Sequence, residues 1–222
     1  MMDPRDVMLQ QVTPTVMVPL YGAFDPLDKP GHRFLSAGNG EWLEVRRSWL
    51  YARTRNLPPG VVAKPYGQVA GTIEWLMPAV PVELFKAFAE MARASAPKEA
   101  AAWITWNELS GEFGFKPVGV RSASEAAIHF DRPRLDEGEH LVLDLHSHGT
   151  GRAFFSSTDN ADDRGEVKVS VVLGHCDRER MSTVIRLCLL GNYIALEVES
   201  STNGAITFKE SNMSKQSSGA GV

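Results

Sequence analysis

Cysteine is nearly absent: Cys176 and Cys188 are the only two in 222 residues, and no C-x-x-C spacing occurs. Two thiols in a chain this long read as reduced core residues of a cytosolic protein, not as a disulfide framework. Long apolar runs are missing as well. The most apolar late stretch, VIRLCLLGNYIAL, is interrupted by Arg186, Gly191 and Asn192, and it falls short of the ~20 apolar residues a bilayer span needs. The N-terminus, MMDPRDVMLQQ, has no basic start followed by an apolar core, so no secretory signal is expected. Nor does one sign of charge dominate. With 23 basic and 27 acidic residues the net charge is −4, which gives no electrostatic reason to expect nucleic acid. The densest basic cluster, Arg46, Arg47, Arg53 and Arg55, reads as the solvated face of strands rather than a phosphate patch. The expectation is a soluble cytoplasmic protein with neither a membrane nor a nucleic-acid partner.

What is present is enough apolar residue, 43%, for a real core. Up to residue 78 the chain reads as β-rich. HRFLSAGNGEWLEVRR holds two runs around Ala37-Gly38-Asn39-Gly40, a hairpin signal because Asn and Gly tolerate positive φ. Pro78 and Pro81 punctuate the next boundary, and Val82–Ala92 then carries apolar residues at helical spacing, ending near Ser95-Ala96-Pro97. Strands follow over 101–106, 112–120, 139–146 and 166–173. Residues 183–190 and 193–199 read as a hairpin across Gly191-Asn192, and 157–163 as a second helix. The fold class is therefore mixed α/β. Residues 1–78 form a β-rich region, either a small domain or an extension of the main sheet. Residues 79–210 form the α/β domain, and the Ser/Gly-rich end, 211–222, is a flexible tail.

The chemistry concentrates in LDLHSHGTGRAFFSSTD, residues 143–159. Strand alternation puts Leu141, Leu143 and Leu145 on one face and His146 and His148 on the other. Same-face residues lie ~6.5–7 Å apart at their α-carbons, so two imidazoles there can converge on one ion. An exposed polar strand end is the plain alternative. Ser156-x-x-Asp159 reads equally as a helix capping box. The combination H-x-H-x7-S-x-x-D points further. A seven-residue loop returns Asp159 towards the histidines as a third, anionic ligand, and three protein ligands leave the open fourth position of a catalytic zinc site. Asp144 shares the histidine face, as an imidazole-orienting partner or as an exposed carboxylate. Asp162 and Asp163 read as solvated. His32, His129, His140 and His175 read as structural or exposed. Trp103 and Trp106, three apart on a strand, face opposite sides, one in the core and one lining a groove.

His146, His148, Ser156 and Asp159 in this spacing resemble the JAMM (MPN+) motif of zinc metallo-isopeptidases, whose prokaryotic JAB branch is the nearest in pattern. The resemblance implies a JAMM/MPN-like mixed sheet with flanking helices, one zinc ion held by His146, His148 and Asp159, and an upstream glutamate at the first helix–strand junction. Glu99 occupies that junction, with Glu108 the other carboxylate nearby. Ala102, Trp106 and Gly149 depart from residues common in the family. The resemblance further implies that Glu99 moves the proton of a water activated by zinc and that Ser156 donates to the oxyanion. It also implies a ubiquitin-like or peptide tail as substrate. Features such as RFLSAGNGEWLEVRR and PYG are similar to a branch found in the PRTRC plasmid-associated cassette, which implies ThiF-like and ParB-like partners. A non-catalytic interaction module of such a cassette is the alternative function.

Overall fold

The computed structural model describes residues 2–124, 127–200 and 204–211. The chain divides into two compact units, Met1–Met77 and Pro78–Val222.

The first unit opens with α1 (Pro4–Val12), capped by Asp3, whose carboxylate accepts from Arg5 N–H. Its strands are β1 (Thr15–Met17), β2 (Gly31–Ala37), β3 (Gly40–Arg47), β4 (Leu50–Leu57) and β5 (Thr72–Trp75). They form one five-stranded sheet in sequence order. It is a sheet of its own, not an extension of the one that follows. The β2–β3 hairpin pairs Ala37 with Gly40. Gly40 stands at φ +128°, and a Cβ there would meet Leu57 O at 2.4 Å, so only glycine fits. Val18, Leu35, Ala37, Trp42 and Val69 pack one side of this sheet. Glu44 is fully buried but satisfied, accepting from Arg33 Nε (2.5 Å), Tyr51 Oη (2.6 Å) and Leu27 N (3.2 Å). Arg46 and Arg47 are half-buried and donate to Leu27 O and Gly31 O. Arg53 donates to Ala70 O, and Arg55 lies over the Trp42 ring. These guanidiniums are spent on their own sheet.

The second unit runs β6 (Val80–Pro81), α2 (Val82–Ser95), β7 (Ala101–Asn107), β8 (Phe113–Ser124), β9 (Ala127–Asp131), β10 (Glu139–Ser147), α3 (Ser157–Asp162), β11 (Val167–Gly174), β12 (Ser182–Leu189), β13 (Asn192–Ser200) and β14 (Ala205–Glu210). The nine strands order as β6-β14-β13-β12-β11-β10-β7-β8-β9. Among the described pairs of this sheet only β10–β11 is parallel, because only these neighbouring strands are joined by a crossover through a helix, α3. Both strands of that pair end at the same edge of the sheet. α2 follows Pro81 and buries Phe88 and Ala92, one turn apart on the face packed against β7 and β10.

Several sequence expectations are corrected. The register of β10 against β7 shifts between Leu141 and Leu143. That bulge resets the alternation, so Leu143 and Leu145 face with Ile104 and Ala102, while Leu141 packs with Ala101, Trp103 and Val118 on the histidine side. Trp103 and Trp106 are both buried, so neither lines a groove. The β12–β13 turn is Leu190-Gly191, one residue earlier than expected, because both carry the positive φ (50° and 97°) that a two-residue hairpin turn demands. Residues 212–222 of the expected tail lie outside the described residues. Ser211 is buried and donates to Glu197.

Candidate metal centre

The end of β10 carries His146 and His148, and the crossover delivers Asp159 to them. One ligand atom from each of these three residues lies within 4.8 Å of the other two, the one such group among the described residues. The imidazole centroids are 5.2 Å apart. His146 Nε2 stands 3.4 Å from Asp159 Oδ1, with side chains 19% and 20% exposed, so the cluster is sheltered yet open on one side.

Three details bear on whether a metal fits. His146 Nε2 is buried and has no hydrogen-bond partner among the described residues, a costly state for a polar nitrogen unless something else takes its lone pair. Burial pushes the His146 pKa below its ordinary value, against the opposing pull of the Asp159, Asp144 and Glu99 carboxylates. The ring is thus neutral near pH 7, as a ligand must be. His148 Nδ1 sits 3.2 Å from Arg152 O. If Nδ1 donates there, Nε2 is left as the lone-pair nitrogen, the outer-shell support that ligating imidazoles use. Phe154 meets the His148 ring edge-on at 4.7 Å and holds it in place. Two imidazole nitrogens and a carboxylate oxygen suit zinc.

Asp159 has two tasks, divided between its oxygens. Oδ2 accepts from Ser156 N–H (2.6 Å), and Ser156 Oγ accepts from Asp159 N–H (3.2 Å). The capping box is therefore real and coexists with the ligand geometry, since Oδ1 remains for the cluster. The Ser156 hydroxyl accepts in the cap and so retains its proton for donation elsewhere.

Glu99 lies exposed just ahead of β7, whose first residue, Ala101, pairs with His146. Ser147, between the two histidines, is fully buried. Its Oγ accepts from Ala100 N–H (2.9 Å), and its own N–H donates to Ala100 O (2.9 Å). Gly149 reinforces this link: at φ +53°, a Cβ would fall 2.1 Å from Pro97 O. Proline, which fixes φ near −65°, cannot take that place. Glu108 lies past the other end of β7, beside His140 (3.4 Å). His140 and His146 are six strand steps apart, ~20 Å at ~3.3 Å each. His32 engages Thr13 Oγ1 (3.0 Å) within the first unit.

Two acids differ from expectation. Asp144 accepts from Lys168 Nζ (2.6 Å), and among the described residues it makes no hydrogen bond to an imidazole. Asp163 is buried, not solvated. Sequence reasoning did not single out Lys168 or Ser147, and it gave Arg186 and Gly149 no structural role. For Lys168 and Arg186 the available signal was a polar residue at period two inside the apolar strands VKVSVVLG and STVIRLCL.

Residues 3–76 match the model of a domain of unknown function (DUF2016), and residues 81–186 match that of prokaryotic homologs of the JAB domain. Within the second unit, the similarity to the prokaryotic JAB family spans β6 to β12 and takes in His146, His148 and Asp159. No curated protein matches the chain. Among solved structures, the solution structure of protein DSY2949 from Desulfitobacterium hafniense is similar at 13% identity, over 59% of this chain and 88% of that one, with a TM-score of 0.37. That likeness is too distant to carry an argument. None of these matches bears on the PRTRC branch. No helix among the described residues is long and apolar enough to cross a membrane.

Proposed function

We propose that the second unit is a zinc-dependent amide hydrolase acting on the C-terminal tail of a ubiquitin-like protein or a similar peptide. The observation that carries the chemistry is the convergence of His146, His148 and Asp159, in which His146 Nε2 is buried without a hydrogen-bond partner among the described residues. The substrate class rests on the JAB match and the motif resemblance. ThiF-like and ParB-like partners and a cytoplasmic setting rest on resemblance and composition.

A zinc ion held by the three residues would supply Lewis acidity towards water and towards the scissile carbonyl. Glu99 accepts the proton of the attacking water and passes it to the amine nitrogen as the carbon–nitrogen bond breaks, leaving a carboxylic acid and a free amine. The Ser156 hydroxyl donates to the carbonyl oxygen as negative charge develops on it; a neutral donor suits that charge where a carboxylate would repel it.

The test is hydrolysis of a panel of ubiquitin-like tails by the full chain loaded with zinc, beside Glu99→Gln. Turnover by the wild type, lost in the variant with zinc retained, supports the reading. Zinc binding without turnover on any tail, with a tail-bearing protein still bound, supports the interaction module instead.

A further inference from the structure

The helix that carries Asp159 has little to hold it. α3 is six residues long and buries none of them. Helices shorter than ~12–15 residues are marginal in isolation and rely on packing. A metal ligand displaced by an ångström is a poor ligand, so something other than apolar burial must fix this turn.

The sheet beneath supplies it. Register places Asp144, His146, Lys168, Ser170, Arg186 and Cys188 on one face. Lys168 Nζ bridges Asp144 Oδ2 (2.6 Å) on the histidine strand and Asp163 Oδ1 (2.9 Å) at the α3 C-cap. Arg186 Nη2 donates to Asp163 Oδ2 (2.6 Å) and its Nη1 to Asn160 Oδ1 (2.5 Å). The guanidinium lies between the rings of Phe155 (3.8 Å) and Tyr193 (4.1 Å), and Tyr193 Oη donates to Asn160 O (2.6 Å). Ser170 Oγ also donates to Asp163 (2.9 Å). The turn bearing Asp159 is thus gripped at Phe155, at Asn160 and at Asp163, while the same network reaches back to within two residues of His146.

We propose that Lys168 and Arg186 are positioning residues for the metal centre, a buried two-cation clamp that sets Asp159 on α3 against His146 on β10. The inference rests on the metal reading above. Stability alone does not account for the network, because replacing buried ion pairs by apolar residues is often neutral or stabilising. What apolar residues would not supply is a fixed rotation and height for a helix with no buried side chain. The network also balances: two cations face two carboxylates. The clamp touches neither a substrate nor the reacting atoms, so its effect is read at the metal.

The test compares full-length wild type, Arg186→Met and Lys168→Met for zinc affinity by chelator competition and for the visible spectrum of bound Co2+. Methionine keeps much of each stem and removes the charge. Each variant is expected to bind zinc ~10–100-fold more weakly and to show weaker Co2+ absorption, as a fixed carboxylate ligand gives way to water. Ile206→Ala on β14 is the control for lost stability: its melting temperature falls while affinity and spectrum stay. If either methionine variant does not fold, Asn160→Ala at an exposed position reads the same grip, with affinity lowered several-fold. Unchanged affinity and spectrum in the folded variants, beside a wild type that binds zinc, would overturn the clamp alone. A wild type that binds no zinc would overturn the clamp and the metal reading together.

Discussion

Asp159 Oδ1 stands 3.4 Å from His146 Nε2 while its Oδ2 accepts from Ser156 N–H at 2.6 Å. One carboxylate thus closes a helix cap and joins a cluster able to hold a metal. The capping box and the metal motif share Ser156 and Asp159, and substitutions there separate the two uses.

Ser156→Ala removes the hydroxyl that accepts from Asp159 N–H. Loss of an N-cap costs ~0.5–2 kcal/mol, read by denaturant unfolding. Loss of an oxyanion donor costs ~10²–10³ in rate, read by steady-state hydrolysis. Zinc content should stay as in the wild type. A fall in stability with no fall in rate would leave Ser156 a cap only.

Glu99→Gln should lower hydrolysis by at least ~10²-fold, the lower range for a lost general base, with metal retained. Glu108→Gln should change it little, since Glu108 sits by His140 at the far end of β7. The reverse ranking in the same assay would move the base to Glu108.

Gly149→Ala is predicted to destabilise the protein by more than ~1 kcal/mol, because its positive φ is closed to other residues at low cost and the new Cβ would meet Pro97 O. The same change loosens the link between the histidine loop and Glu99. Thermal unfolding checks the first effect and kcat the second.

Burial raises the Asp163 carboxyl pKa, but Lys168, Arg186 and Ser170 outweigh it and hold the value below the ordinary range. A depressed carboxylate contributes stability that is present above its unfolded pKa, ~3.9, and is lost as pH falls through its folded value. Wild type should therefore lose stability steeply below about pH 4, and Asp163→Asn should start lower and fall less. Parallel curves for the two proteins would contradict this.

The sequence made some of this legible for local reasons. Phe85, Phe88 and Ala92 after Pro81 suffice to place α2, and the H-x-H-x7-S-x-x-D spacing brings together the residues that cluster in space. α1 carries its own start signal, Asp3 before Pro4, easily overlooked in a segment with no apolar face. The bulge after Leu141 leaves no mark in composition, because it is set by pairing with β7. Arg186 is the clearest case. In the sequence it merely interrupts an apolar run, and its partner Asp163 is 23 residues away. Alternation gives the face on which Arg186 lies, but only the folded crossover shows that α3 lies above it.

The most direct test of the account is the metal content of the purified protein, wild type beside the double variant His146→Ala, His148→Ala. The predicted result is about one zinc per chain in the wild type, the stoichiometry of a three-ligand catalytic site, and none in the double variant. Wild-type protein that holds no zinc after purification without chelator and exposure to the metal would contradict it.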